Sequence, residues 1–236
     1  MDVNALLNSV MGGAGAGIDK AVNTAKSGSM PGGVLGGVAA GGLAALLLTN
    51  KKARKMGGKA LKYGGMAAVG GLAYKAWRDQ KENQSAAPAP QASSSTPALP
   101  TAPSGSIFDL AEAQPANTGE DMRLVLIRAM ISAAKSDGHI DASERARIEQ
   151  HIQTLGIGTE EQQFLIEQLR ADSDPIAIAR LSSGEEQAAE IYLVSLMAID
   201  LDTNEERRYL DRLGDALLLP DSLRHNLEQE VANAER

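Results

Sequence analysis

Two short acidic stretches hold the residues whose types and spacing best suit chemistry. The first carries Asp137, His139, Asp141 and Glu144, and the second carries Asp200, Asp202, Asn204 and Glu205. In each stretch an apolar run ends in an acidic turn, and Asp-x-x-Glu then opens a charged amphipathic segment. If the two preceding helices pack side by side, the turns converge and place several carboxylates within reach of a hard divalent cation. The repeat therefore raises the hypothesis of a metal-binding site.

A structural role for the same carboxylates competes with the metal hypothesis. Asp-x-x-Glu at residues 141–144 and 202–205 also fits a helix capping box. Asp137 precedes a glycine, as in an ordinary helix-ending turn. The second stretch imitates the start of an EF-hand loop, but Glu205 replaces the required glycine and Asp211 stands where a bidentate glutamate belongs. Helix capping is thus the alternative to a divalent cation, and no other cofactor is expected.

Motifs of known enzyme classes are missing from the chain. Gly-x-Ser-x-Gly, Walker A and His-Glu-x-x-His patterns do not occur. There is no cysteine, which removes thiolate metal sites and cysteine nucleophiles. The repeated glycines lie in an apolar run rather than between a strand and a helix, so they do not form a dinucleotide fingerprint. We therefore expect a non-enzymatic protein.

Charge divides the chain into two unlike halves. Residues 1–82 hold eleven Lys/Arg and four Asp/Glu, whereas residues 83–236 hold twelve and twenty-six. Such an asymmetry indicates that the basic half meets an anionic surface. Nucleic acid is not the expected surface, because few aromatic side chains are available for base stacking. A lipid bilayer is the expected partner of this half.

The segment between the halves predicts a disordered linker. Residues 83–117 hold six of the nine prolines, together with Ser, Ala, Thr and Gln. A segment of this composition buries too little apolar surface to offset its ordering entropy. Residues 107–110 form its apolar island, which is either a stray patch or a short docking motif.

The glycine-rich stretch from Pro31 to Thr49 predicts a membrane span. It has nineteen residues without a charge, and as a helix it covers about 28 Å, close to the hydrocarbon thickness of a bilayer. Gly33, Gly37 and Gly41 form a small-residue face that brings helix backbones together in lipid, which predicts self-association. A flexible soluble segment is the alternative.

A second apolar run at residues 60–77 predicts either another span or an interfacial helix. Its small-residue face includes Gly64 and Gly70, and Tyr63, Tyr74 and Trp77 stand near its ends as in an interfacial belt. The connector 51–62 carries six basic residues, which the positive-inside rule places in the cytoplasm. One span leaves the acidic half cytoplasmic, and two spans place it in the periplasm.

The first ten residues predict a short amphipathic helix, because Val3, Leu6, Leu7 and Val10 follow helical spacing. The residues before it lack the positive n-region of a cleavable signal peptide. Together with the two apolar runs, this helix leads us to assign residues 1–82 to a membrane-anchor region.

Residues 118–236 predict a compact all-α domain of seven helices with an internal pseudo-repeat. The predicted helix starts are Thr118–Asp121, the Asp141 box, Thr159, Asp174-Pro175, the Ser183 box, the Asp202 box and Leu219–Asp221. The first and fifth helices are apolar nearly all round, which predicts that both are central.

These residues carry a family resemblance. Residues 133–144, with Glu190-Ile191-Tyr192, Ala198-Ile199-Asp200 and residues 213–217 downstream, resemble the TerB-like superfamily, which is named for a tellurite-resistance protein. The chain is more closely similar to an uncharacterised bacterial inner-membrane branch with a glycine-rich N-terminus. The resemblance covers residues 118–236 and implies a seven-helix fold but no established reaction.

The features together lead to one expected function and one alternative. We expect an inner-membrane protein whose tethered TerB-like domain binds an unknown protein partner, with envelope stress as the suggested setting. The alternative is a metal-responsive sensor that binds a divalent cation at the two acidic turns.

Overall fold

The chain is all-α throughout the part that its structure, a computed structural model, describes. That part comprises residues 1–10, 66–84, 101–106, 108–109, 113–138, 140, 142–199 and 201–234. Within it lie α1 (Val3–Val10), α2 (Met66–Gln84), α3 (Met122–Ala134), α4 (Ala142–Thr154), α5 (Thr159–Arg170), α6 (Pro175–Ala179), α7 (Glu185–Met197), α8 (Asn204–Ala216) and α9 (Asp221–Ala234). No strand occurs in these ranges, which contain an isolated antiparallel bridge at residues 115 and 121. The predicted span 31–49, with Gly33, Gly37 and Gly41, lies outside them, as does Gly64.

The helix ends of the C-terminal half follow local capping chemistry. Seven helices, α3 to α9, lie among the described residues from 118 onward, and the sequence predicted seven. Asp174 accepts hydrogen bonds from the N–H groups of Ile176 and Ala177 at 2.9 and 3.1 Å, and the proline after it begins α6. Gly156 has a φ of 68° just after α4, a left-handed conformation that glycine adopts without steric cost. Both features agree with the sequence.

The predicted capping box of α8 is displaced by one residue. Thr203, rather than Asp202, is the N-cap, and its Oγ1 accepts a hydrogen bond from the N–H of Glu206 at 3.2 Å. The carboxylate of Glu206 accepts in return from the N–H of Thr203 at 3.0 Å. Asp202 and Glu205 were thus the wrong pair, because Thr-x-x-Glu one position later satisfies both orphan N–H groups.

Helices α5 and α7 also begin one position away from their predicted starts. Gly158 is the N-cap of α5, so Thr159 is its first helical residue rather than its cap. Gly184, rather than the predicted Ser183, precedes α7. Neither glycine offers a side-chain cap, but the first turn of each helix carries two glutamates, whose charge complements the helix dipole.

Helices α3 and α7 form the centre of the domain, as their apolar sequences predicted. They pack against each other, and α7 is also in contact with α2, α8 and α9. Every residue of α7 from 187 to 196 is buried, because neighbours cover all of its faces. Two apolar clusters fill the interior: a large one around α7, and a smaller one between α1, α3, α4 and α5.

Helix α2 packs in the large apolar cluster. Its buried face consists of Val69, Leu72, Ala73 and Ala76, each at most 3% exposed. The helix packs on α7 and α9. The rings of Tyr74 and Trp77 each lie 5.6 Å from that of Phe108, centroid to centroid. Tyr74 and Trp77, which were assigned to a membrane interface, therefore pack against Phe108 of the linker.

Polar contacts of α2 support the same correction of the second apolar run. The ammonium of Lys81 lies 3.1 Å from the carboxylate of Glu185 on α7, and Gln80 Nε2 donates to Ser222 Oγ on α9 at 2.6 Å. Gly70, predicted to line a membrane helix, is buried within α2. From Met66 onward, the run predicted to end at residue 77 is a domain helix that extends to residue 84. The described helices include none that is both long and apolar enough for a transmembrane span.

The described part of the linker also packs against the domain. Phe108 is 3% exposed within the large cluster. The N–H of Asn117 donates to the carbonyl of Leu181 at 2.9 Å. Phe108 of the apolar island thus packs against α2, and the disordered linker over residues 83–117 stays a prediction.

A leucine with left-handed geometry follows the C-terminus of α8. The N–H of Leu218 donates to the carbonyl of Asp215, and that of Leu219 to the carbonyl of Gly214, both at 3.1 Å. This pair of bonds is a Schellman motif, in which the left-handed position favours glycine. Leu218 occupies it with a φ of 56° and is 86% exposed.

Replacing Leu218 with glycine is expected to stabilise the domain. A non-glycine residue in the left-handed region costs about 1–2 kcal/mol, and glycine removes that cost at a smaller loss of chain entropy. We expect the free energy of unfolding, measured by urea titration, to rise by about 1 kcal/mol. Ala216→Gly, at the last residue of α8, is the matched control: it relieves no left-handed strain and should not raise the free energy of unfolding. A loss of stability in Leu218→Gly would contradict the left-handed geometry.

Candidate functional site: a groove that holds a helix

A groove over the smaller apolar cluster holds helix α1. Its walls are formed by α3, α4 and α5 through Leu124, Ile127, Ile131, Ile148, Ile152, Phe164, Leu165 and Leu169, each at most 8% exposed. On α1, Leu6 and Val10 are 0% and 1% exposed, and Val3 and Leu7 pack at the edge. Residues four apart lie on one face of a helix, so the amphipathic pattern of the first ten residues directs Leu6 and Val10 into the groove.

A buried arginine contacts α1 at the edge of the groove. Arg123 Nη1 donates to Asn4 Oδ1 at 2.8 Å. The same guanidinium forms a fork with Asp121, with Nε to Oδ1 at 3.0 Å and Nη2 to Oδ2 at 2.6 Å. The hydrogen bond to Asp121 raises the pKa of Arg123. Because Asp121 is also the N-cap of α3, the arginine that contacts α1 is held by the start of a central helix.

The first turns of α1 and α5 also meet. The N–H of Asp2 donates to Glu161 Oε1, and Glu161 is 5% exposed. The Oδ1 of Asp2 accepts from the N–H of Ala5 at 3.0 Å, which caps α1. The groove therefore holds its helix by apolar anchors along one face and by polar contacts at the helix N-terminus.

The helical state of α1 depends on this groove. A helix of eight residues is marginal in water by itself, because nucleation is unfavourable and only a few hydrogen bonds follow. Full burial of a leucine or valine side chain contributes about 1.5–3 kcal/mol. Such an arrangement is a helix-in-groove contact, in which anchors four residues apart give affinity and the polar edge gives register.

The predicted metal residues lie only partly within the described structure. The side chains of His139, Asp141, Glu144 and Asp200 lie outside it. Asp202 and Glu205 are exposed, and Glu205 Oε1 lies 3.2 Å from Arg208 Nη1. Asp137 is half-buried. Among the described residues no three His, Asp or Glu side chains form a group that could hold a metal ion. The divalent-cation hypothesis stays a prediction.

The lysine of the first acidic stretch has a structural task. Lys135 Nζ donates to the carbonyl of Gln168 at 2.9 Å and to that of Ala171. These carbonyls end α5, so Lys135 satisfies the free acceptors of that helix terminus. Burial lowers the pKa of Lys135, and the nearby charge of Arg145 lowers it further.

Sequence reasoning missed a buried acid on the central helix. Glu190 of α7 is 0% exposed, and neither of its carboxyl oxygens has a hydrogen-bond partner among the described residues. Burial raises the pKa of Glu190 well above its usual range. Its signal in the sequence is a lone acidic residue inside the apolar run that begins at Ala188. A charged residue at such a position is destabilising unless it is protonated.

Three hydroxyl groups from three helices meet in the core. Burial raises the pKa of Tyr209 to about 12, and the hydroxyls of Ser132 and Ser195 oppose this rise. None of the three has a hydrogen bond of ordinary geometry within the described residues. They join α3, α7 and α8 as a polar contact, and the raised pKa keeps the phenol neutral rather than nucleophilic.

The fold and the groove together define an all-α domain with two central helices and a short helix bound at its side. The chain belongs to the family described as "Protein of unknown function (DUF533)", whose match covers residues 33–231. A relative from Yersinia enterocolitica, "Uncharacterized protein in ampR 5'region", is 39% identical over 106 residues, which are 45% of this chain and 76% of that protein. No solved structure matches the chain. The family match includes α2 and begins after α1.

Proposed function

We propose that this chain is a non-enzymatic interaction protein of the bacterial inner membrane, whose TerB-like domain binds an amphipathic helix of a partner protein. The observation that carries the proposal is α1 itself, which occupies the groove through Leu6 and Val10. A partner helix with aliphatic anchors four residues apart, and a hydrogen-bond acceptor facing Arg123, meets the same requirements.

Support for the TerB-like class comes from the architecture. Among the described residues from 118 onward, the domain has seven helices, α3 to α9, of which α3 and α7 are central, and the stretch that carries the resemblance ends α3 and begins α4. Support for membrane attachment comes from the charge-free run 31–49 and the basic connector 51–62. In this proposal the run anchors the protein and the helical domain recruits its partner, with envelope stress as the setting.

The groove is tested by emptying it and offering a helix in solution. Leu6→Asp places an unpaired charge in an apolar site, so α1 leaves the groove. We expect a peptide of residues 1–10 to shift the NMR signals of Ile127 and Ile131 in the full-length Leu6→Asp chain. The wild-type chain should not respond, because its own α1 occupies the groove and competes with the peptide within the same molecule.

The matched control is Leu218→Asp, which makes the same exchange at a position that is 86% exposed. It should behave as the wild type does. If the peptide shifts no groove signal in Leu6→Asp, or shifts all three chains equally, the groove is not a helix-binding site.

A further inference from the structure

Both ends of the segment 11–65 are held on one folded body. Val10 at the end of α1 is 1% exposed in the groove, and Val69 near the start of α2 is 0% exposed in the large cluster. Helix α1 packs on α3, α2 packs on α7, and α3 packs on α7. Residues 10 and 66 therefore lie on the same side of any bilayer while α1 is docked.

A single crossing by residues 31–49 requires the opposite arrangement. Its two ends emerge in different aqueous phases, about 30 Å apart, and one domain cannot lie in both. A pair of crossings needs roughly 40 apolar residues. The segment 11–65 has one long charge-free run, residues 31–49, which is nineteen residues long. Asp19, Lys20 and Lys26 precede this run, and the basic connector 51–62 follows it. Its composition thus allows one crossing.

We infer that docking of α1 in the groove and membrane spanning by residues 31–49 exclude each other, an inference that rests on the proposed membrane attachment. When the run spans, α1 lies across the bilayer from the domain and the groove is empty. The apolar walls at Ile127, Ile131 and Ile152 then face water and favour binding of a partner helix. Membrane insertion thus opens the binding site, and α1 closes it in the uninserted chain.

The test locks α1 in the groove by a cross-link. The cysteine-free chain allows defined pairs, and Asp2→Cys with Glu160→Cys joins two exposed positions where α1 meets α5. A short flexible bis-maleimide closes the pair before the full-length chain is added to vesicles of phosphatidylethanolamine and phosphatidylglycerol. The control pair, Lys81→Cys with Glu185→Cys, links α2 to α7 at two partly exposed positions whose native side chains lie 3.1 Å apart, and it leaves α1 free.

Carbonate resistance and protease protection of an N-terminal epitope tag measure spanning. We expect the control-linked chain to become resistant, with its tag shielded in the vesicle lumen. The chain locked at α1 should lose most of that resistance and keep its tag accessible. Equal resistance and shielding of both chains would overturn the exclusion but not the membrane attachment. If neither chain inserts, the membrane part of the proposed function fails, and the exclusion fails with it.

Discussion

Leu72→Ala is expected to lower the free energy of unfolding of the full-length chain by about 2–5 kcal/mol, the cost of a leucine removed from a packed core. Leu72 is 3% exposed and lies in the large apolar cluster with residues of α7 and α9. The unfolding of α3–α9, followed in urea by circular dichroism, measures the effect. Glu82→Ala on the exposed face of α2 is the matched control, and it should change stability by less than about 0.5 kcal/mol.

The Leu72→Ala result decides where α2 belongs. In a membrane helix, Leu72 would face lipid or another span, and its truncation would leave the urea unfolding of the domain unchanged. Equal stabilities of Leu72→Ala and the wild type would therefore restore the second predicted span. A loss confined to Leu72→Ala assigns residues 66–84 to the domain.

Glu190→Gln is expected to stabilise the domain at neutral pH and to have little effect in acid. The folded state raises the pKa of Glu190, so it binds more protons than the unfolded state once the pH exceeds the ordinary value of 4.5. Stability then falls as the pH rises, and it is greatest below 4.5, where both states are protonated. Glutamine cannot ionise, so it avoids the cost of keeping Glu190 protonated, which grows by about 1.4 kcal/mol for each pH unit above the ordinary pKa until the folded-state pKa is reached.

Urea unfolding of Glu190→Gln and wild type between pH 4 and pH 8 measures this difference. Glu167→Gln, at an exposed position of α5, is the control and should match the wild type at each pH. A gain in stability that is the same at every pH would mean that folding does not raise the pKa of Glu190. A loss of stability at pH 7 would mean that another group stabilises the Glu190 carboxylate in the folded protein.

Local chemistry made much of the C-terminal fold predictable from sequence. Apolar residues on all faces identified α3 and α7 as central, because a helix without a polar face must be covered. Asp174 before a proline, and the glycine at 156, marked helix ends by their backbone and capping preferences. The pattern did not determine the capping box of α8, because Asp202 and Thr203 each stand three residues before a glutamate.

The packing of α2 against the domain could not be predicted from local sequence patterns. A short apolar, glycine-containing helix has the same composition whether lipid or a protein core covers it. The deciding contact is Phe108, which lies in a proline-rich segment and packs on Tyr74 and Trp77. Such contacts between distant segments leave no periodic signal in the sequence.

The candidate site was missed for a related reason. The spacing of Leu6 and Val10 indicated an amphipathic helix, but nothing local identifies the surface that receives it. That surface is assembled from three helices, and Arg123 contributes through its fork with Asp121 rather than through any motif. The carboxylates of the two acidic turns stand out in the sequence, but those within the described residues do not assemble into a metal-binding group.

Hydrogen–deuterium exchange of the full-length chain tests the central claim, that the groove binds α1, most directly. The account predicts slowed exchange for the amides of residues 6–10 in the wild type. In Leu6→Asp it predicts fast exchange there and faster exchange in α4 and α5, whose apolar faces lose their cover. If residues 6–10 of the wild type exchange as fast as an unstructured peptide, the helix is not held in the groove and the proposed binding site is wrong.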